Sequence, residues 1–308
     1  MQRWEIEYEP RLVEEAVLLA VPGSAGEAEF RVERDRLYEI SEPEEREASF
    51  RALHAAWLVR LGLGQEVERA FAEHPSIAAS THRGVAFSAS SGRDEGAEIF
   101  VSAADGASGA ARRTVILRLR GQTLAIPERL DAFLRHELLH IADMLDPRFG
   151  YEPQLPSSPA GPVYDQLLRE RYRVLWDAFV DGRLMGRGQA AAGLRVERLG
   201  EFSRTFPMLG EQTEEAFERF FGGVNPTHPE LVAFATDPPR ALGRHPLGRR
   251  PGQPCPLCGF PTYVFESEPD GLPIEVQAQI RETFPGWSPG DGLCSQCADL
   301  YRSRLPRS

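Results

Sequence analysis

Two histidines four residues apart, His136 and His140, carry the clearest chemical signal in this 308-residue chain, and Glu137 directly follows the first of them. Residues i and i+4 share one face of an α-helix, so both imidazoles can bind one metal ion. Glu137 can then reach a water molecule on that metal. This HExxH pattern is typical of zinc-activated hydrolysis of a peptide bond, with Glu137 as the catalytic general base.

The residues around the motif predict the helix that must present it. Apolar residues recur at helical spacing through and beyond the motif, at Leu134, Leu138, Ile141 and Leu145. Pro127 suits a first helical turn, and Asp146 followed by Pro147 ends the helix. We therefore predict an active-site helix over about residues 127–145.

The segment from Phe133 to Ala142 resembles the extended active-site pattern of the zincin metallopeptidases, in which mostly uncharged residues surround the core motif. Arg135 is a charged departure from that pattern. The resemblance implies an α+β fold with a zincin-like core, in which a mixed sheet packs on the active-site helix. It also implies a peptide or protein substrate and a third zinc ligand from further along the chain.

One candidate for that third ligand is Asp146, ten residues after His136. Metzincins place a histidine or an aspartate at this spacing, after a glycine that turns the chain. Asp143 occupies the glycine position here, which is a departure from the metzincin pattern. Asp143 also lies on the same helix face as both histidines, so it could support the ligands without binding the metal.

The favoured candidate is Asp177, on a helix expected over about residues 164–185. In gluzincins a ligand carboxylate is followed four residues later by an aspartate, which accepts a hydrogen bond from a ligand histidine. Asp177 and Asp181 resemble that pair, although an aspartate replaces the usual glutamate ligand. His228 and His245 are reserve ligand candidates.

The four cysteines of the chain form two CxxC pairs, Cys255 with Cys258 and Cys294 with Cys297. Two such pairs can bind a zinc ion through four thiolates, and the alternatives are disulfides or free thiols. Four thiolates leave no open coordination position, so this zinc would stabilise the fold without taking part in catalysis. The sequence therefore predicts two zinc ions, one catalytic and one structural.

The 35 residues between the two cysteine pairs exceed the usual spacing of about 15–20. We expect a hairpin around residues 262–265 and a helix around 274–284 in this gap, and a last helix over 298–304. This arrangement resembles treble-clef and zinc-ribbon modules.

Composition limits the function further. The net charge of −11 argues against general affinity for nucleic acid, although an arginine-rich linker and the zinc module leave local contact open. No basic segment followed by a long apolar run begins the chain, and the best apolar stretch, 16–21, is too short for a signal peptide or a membrane span. A soluble, cytoplasmic protein without a membrane partner is expected, and no oligomeric state is predicted.

The predicted domains are a zincin-like metallopeptidase domain over residues 1–240, a Pro/Gly/Arg linker over 241–253 and the four-cysteine module over 254–308. A loop is expected at 103–111, and a core-edge position for His54. The predicted helices before the motif are 44–61 and a short helix ending at Phe71. The predicted strands before the motif are 4–8, 17–21, 29–32, 84–88, 98–102 and 114–120.

Two other functions compete with that of a zinc metallopeptidase. One is a non-catalytic zinc-binding scaffold or adaptor that is recruited through the four-cysteine module. The other follows from the order of the domains, which resembles SprT-like proteases that act on DNA-associated proteins. Those proteases use a histidine as the third ligand, whereas the best downstream candidates here are carboxylates.

Overall fold

The computed structural model of this α+β chain describes residues 4–102, 112–156, 162–223, 225–242 and 252–304. The predicted loop at 103–111 lies outside these residues, as do His245 and the rest of 243–251, which is most of the predicted linker. The chain divides into two compact units, residues 1–149 and residues 150–308. Within the described ranges, no helix is both long enough and apolar enough to cross a membrane.

The first unit is built on a mixed four-stranded sheet. Its strands are β1 (Ile6–Tyr8), β2 (Arg83–Ser88), β3 (Gly96–Ser102) and β4 (Arg112–Leu119). They lie in the order β1-β2-β4-β3, with β1, β2 and β4 parallel and β3 antiparallel to β4 at one edge. These four strands confirm four of the six predicted strands.

Seven helices accompany the sheet in the described part of the first unit. They are α1 (Pro10–Ala20), α2 (Glu27–Leu37), α3 (Pro43–Arg60), α4 (Gln65–Ala72), α5 (Pro75–Ser80), α6 (Gly121–Ala125) and α7 (Pro127–Leu145). The bounds of α7 match the predicted active-site helix, and α3 and α4 match the two predicted helices before the motif.

The predicted strands at 17–21 and 29–32 are wrong, because both segments are helical. The first lies in α1, where Leu12, Val13, Ala16 and Val17 are buried at helical spacing. The second lies in α2, whose only buried residue is Phe30. A charged helix with a single anchoring side chain has no apolar stripe that a sequence pattern can detect.

The orientation of α7 is fixed by its apolar side. Leu134, Leu138 and Ile141 are fully buried in the core of the first unit, together with Val115 and Leu117 of β4. Helix α7 packs against α4, α5, α6 and β3. Burial of each leucine contributes roughly 1.5–3 kcal/mol, so rotation of α7 about its axis is strongly opposed.

The second unit is mostly helical. Its helices are α8 (Pro162–Gly186), α9 (Leu194–Thr205), α10 (Thr213–Phe221), α11 (His228–Thr236), α12 (Pro238–Ala241), α13 (Ile274–Thr283) and α14 (Ser295–Arg302). Three short 3-10 helices lie at Pro207–Gln212, Pro269–Gly271 and Pro289–Asp291. Helix α8 matches the predicted second ligand helix, whereas α9 was not predicted.

Helix α8 and the end of α10 approach each other backbone to backbone. A Cβ atom at Gly182 would lie 1.7 Å from the carbonyl oxygen of Phe221, so no larger residue fits there without displacement of one helix. Gly182 directly follows Asp181, and this close packing therefore holds the carboxylate-bearing part of α8 in place.

The four-cysteine segment has a hydrophobic core of its own. Val276 and Ile280 of α13, Leu293 and Ala298 are fully buried in it. Helices α13 and α14 confirm the predicted helices, with α14 beginning three residues before its predicted start. The predicted hairpin at 262–265 is wrong, because only isolated bridges form there, and the hairpin-like backbone pairing lies across the first cysteine pair, between 252–255 and 260–262.

His54 of α3 is a core residue, as predicted. It is 5 % exposed and packs beside the rings of Phe30 and Phe50. Burial lowers the pKa of His54, and the charge of Glu14 opposes this shift. Once the pH falls below about 6.5, the unfolded chain therefore takes up a proton that the folded chain does not, and folding stability is lost as the pH falls further toward the folded pKa.

We therefore expect wild-type protein to lose more stability between pH 7.5 and pH 5.5 than His54→Gln, measured as the free energy of unfolding in urea. His82→Gln, which alters an exposed histidine of the same unit, is the matched control and should follow the wild type. Equal losses in wild type and His54→Gln would contradict this assignment.

Candidate metal centres

The two histidines of the motif converge as the helical spacing predicts. Nε2 of His136 and Nε2 of His140 lie 3.0 Å apart, with the rings at 65° to each other. Two nitrogens bound to one zinc ion at about 2.0–2.1 Å each are separated by roughly 3 Å. His140 is buried and His136 is half-buried, so one ion could be held by both and still be reached from solvent.

Glu137 is held by the edge strand of the sheet. The backbone N–H of Ala97 in β3 donates a hydrogen bond of 2.8 Å to its Oε2. β3 is the outermost strand, paired with β4 on one side, and this N–H points away from β4 toward α7. The carboxylate is thus fixed beside the two histidines through one oxygen.

Asp177, the predicted third ligand, lies in α8 of the second unit. Asp177 is buried, with only a tenth of its side chain exposed. Two imidazole nitrogens and one carboxylate oxygen would suit zinc, and Asp177 as the third ligand stays a prediction.

The other predicted carboxylates have different surroundings. Asp146 ends α7, and Arg148 engages both of its oxygens, at 3.1 Å from Nε to Oδ1 and 2.8 Å from Nη2 to Oδ2. These hydrogen bonds hold the pKa of Asp146 below its ordinary value. Asp143 and Asp181 are both buried, which is compatible with a supporting position.

The reserve ligand His228 is buried at the start of α11. Its Nδ1 lies 2.7 Å from the hydroxyl of Tyr172, and its ring stacks edge-on against those of Tyr151 and Tyr172. Burial lowers its pKa, partly opposed by the charge of Glu152.

The four cysteines form a second cluster, and none of them is in a disulfide. Sγ of Cys255 is 3.9 Å from that of Cys297, and Sγ of Cys258 is 3.9 Å from that of Cys294. Four sulfurs at about 2.3 Å from a tetrahedral zinc ion are about 3.8 Å apart. The cluster therefore has the dimensions of a structural zinc site.

Backbone N–H groups support the sulfurs. Cys294 N–H donates to Sγ of Cys255 at 3.3 Å, and Cys297 N–H donates to Sγ of Cys294 at 3.4 Å. Burial alone would raise the pKa of Cys255, but N–H groups directed at its sulfur outweigh burial and lower that pKa to about 7. Gly259, with a φ of +72°, provides the left-handed turn that closes the first knuckle.

The residues that surround Asp177 and Asp181 were not predicted from the sequence. Arg173 of α8 and Arg198 of α9 form ion pairs with these carboxylates, and Glu201 of α9 bridges the two arginines. Arg198 with Glu201, at i, i+3, and Arg173 with Asp177, at i, i+4, have the spacing of helical ion pairs, which is a weak signal in the sequence.

Comparisons of the chain with protein-family models, with curated proteins and with solved structures find no match. Interpretation of the two clusters therefore depends on their own geometry and chemistry.

Proposed function

We propose that this protein is a zinc-dependent peptide-bond hydrolase of the zincin type. The observation that carries the proposal is the approach of two imidazole nitrogens to 3.0 Å on a helix where the neighbouring glutamate is fixed by a backbone N–H. A purely structural zinc site needs its ligands but not Glu137, so the additional carboxylate favours catalysis.

In this proposal His136, His140 and Asp177 hold the ion. A zinc ion, when bound, would polarise the scissile carbonyl and lower the pKa of water. Glu137 would accept a proton at Oε1 from the attacking water as the water oxygen bonds to the carbonyl carbon, because its Oε2 holds the N–H of Ala97. Glu137 would then deliver that proton to the amine nitrogen as the C–N bond breaks. Asp181 and Asp143 act by orienting the ligands.

The edge of the sheet supports a peptide as the substrate. Among the described residues, β3 has no strand partner on the side opposite β4, and Ala97 N–H on that side reaches the catalytic glutamate. An extended peptide can add to such an edge through main-chain hydrogen bonds. A substrate strand beside β3 would bring a peptide carbonyl next to Glu137.

Charge favours a protein substrate over nucleic acid. The whole chain has a net charge of −11. Residues 252–304, which contain the four-cysteine cluster, have seven acidic and three basic side chains. A surface that binds phosphates needs the opposite balance.

The proposal is tested by counting zinc and measuring proteolysis on the same samples. Zinc per chain is determined by elemental analysis, and cleavage of a reduced, unfolded protein is followed by mass spectrometry. We expect two zinc ions and cleavage for wild type and for Asp146→Asn. His136→Ala and Asp177→Asn should retain about one zinc ion and lose cleavage.

Each alternative outcome has its own meaning. One zinc ion per wild-type chain would overturn the catalytic site. Two zinc ions without cleavage would favour the scaffold function. Loss of one zinc ion in Asp146→Asn, with both retained in Asp177→Asn, would identify Asp146 as the third ligand.

A further inference from the structure

The middle of α8 buries two carboxylates in an otherwise apolar run. Every residue from 174 to 181 is buried, and the side chains of Asp177 and Asp181 are 10 % and 3 % exposed. Residues i and i+4 on a helix lie about 5–6 Å apart at Cβ, so the two negative charges repel each other. Buried charges of this kind persist only when partners compensate them.

Two arginines provide that compensation. Arg173 Nη1 donates to Oδ2 of Asp177 at 2.6 Å. Arg198 donates through Nε to Oδ2 of Asp181, and its Nη1 lies 3.9 Å from Oδ2 of Asp177. These two guanidinium contacts involve the same oxygen of Asp177.

The arginines are themselves fixed by carboxylates. Glu201 accepts from Arg173 Nη2 at 2.7 Å and from Arg198 Nη1 at 2.6 Å, one oxygen for each. Glu170 accepts from Arg173 Nη2 at 2.8 Å. A planar guanidinium bound at two or more points has little freedom to rotate. Helix α9 contributes Arg198 and Glu201, and so holds this network against α8.

On the basis of the proposed function, we propose that Arg198 and Arg173 are positioning residues for the catalytic zinc. In this proposal the guanidinium on Oδ2 would favour coordination of the ion by Asp177 through its other oxygen alone. The four carboxylates and two guanidiniums of the network leave a formal charge of −2.

A positioning role and a purely electrostatic role of Arg198 predict opposite changes in zinc affinity when a neutral residue replaces it. If Arg198 acted only as a nearby positive charge, its removal would tighten binding of a cation. If Arg198 positions the ligand, loss of its guanidinium weakens zinc binding whether or not the replacing residue is positively charged. Replacement of groups that orient metal ligands typically costs roughly 10–100-fold in metal affinity.

The test measures zinc affinity in the full chain by competition with a chromophoric chelator. We expect Arg198→Lys and Arg198→Gln both to weaken the His/Asp site by roughly 10–100-fold, while the four-cysteine zinc is unchanged and serves as an internal control. Arg204→Lys and Arg204→Gln, at an exposed position of α9, should match wild type. Glu201→Gln, which weakens the bridge and removes one negative charge, should weaken the same site to a smaller extent and covers the case in which an Arg198 variant fails to fold.

The outcomes separate the two proposals. Unchanged or tighter zinc in both Arg198 variants, or in Glu201→Gln if those variants do not fold, overturns the positioning role while the proposed function stands. A second zinc ion that depends on Arg198 in a chain without proteolytic activity overturns the function and leaves the positioning role intact. A wild-type chain with only the four-cysteine zinc overturns both.

Discussion

Glu137→Gln should lose roughly 10²–10⁴-fold in kcat for peptide hydrolysis and keep two zinc ions per chain. The amide preserves the size of the side chain and can still accept the N–H of Ala97 through its oxygen. It cannot accept a proton at neutral pH. The metal ligands are untouched, so zinc content separates a lost base from a lost site.

Glu128→Gln is the matched control for this substitution, because it removes an exposed carboxylate from the first turn of the same helix. It should retain wild-type kcat within error. Full activity in Glu137→Gln would exclude Glu137 as the general base. Loss of the second zinc ion from that variant would instead make Glu137 a ligand, contrary to the proposed mechanism.

Cys255→Ser should unfold the four-cysteine segment. Roughly 50 residues rarely supply a stable hydrophobic core without a metal or disulfides, and binding of a structural zinc contributes about 10–16 kcal/mol in comparable peptides. Cys255 is almost fully buried, and its sulfur accepts a backbone N–H from the second cysteine pair. One zinc ion should be lost, and limited proteolysis should cut within 252–304.

Gln296→Ala provides the control, because Gln296 is an exposed residue between Cys294 and Cys297. This variant should keep its zinc and resist the protease as wild type does. A Cys255→Ser protein that retains both zinc ions and remains uncut would show that the segment folds without the metal.

The features best predicted from the sequence were those tied to a motif of defined residue spacing. The motif and its flanking apolar residues correctly predicted α7 because helical periodicity, a proline start and a proline stop all agreed over nineteen residues. The cysteine pairs correctly predicted a four-sulfur cluster, because two CxxC pairs supply the four thiolates of one site even across a longer gap than usual. The assignment of Asp177 as the third ligand, in contrast, remains a prediction.

Two kinds of feature were not predicted: helices judged from a short stretch of sequence, and contacts made by ion pairs. Residues 17–21 form a continuous apolar run that fits a strand, and only the longer pattern from Leu12 onward reveals α1. Helix α9 has a single buried residue, Phe202, and its Arg198 and Glu201 form ion pairs with α8. Ion pairs between distant segments have no periodic signal, so neither the helix nor its arginine could be placed beside Asp177 from sequence.

The pairing of β1 with β2 has a consequence for the order of folding. Ile6 lies opposite Gly84, so the first strand cannot pair until five helices have been synthesised after it. β3 and β4, in contrast, follow each other directly and can form an antiparallel pair early. Because closure of a long loop is entropically costly and slows folding, we infer that β3 and β4 pair before β1 joins. The strand that holds Glu137 would then belong to the earliest part of the sheet, and the amino-terminal strand would complete it last.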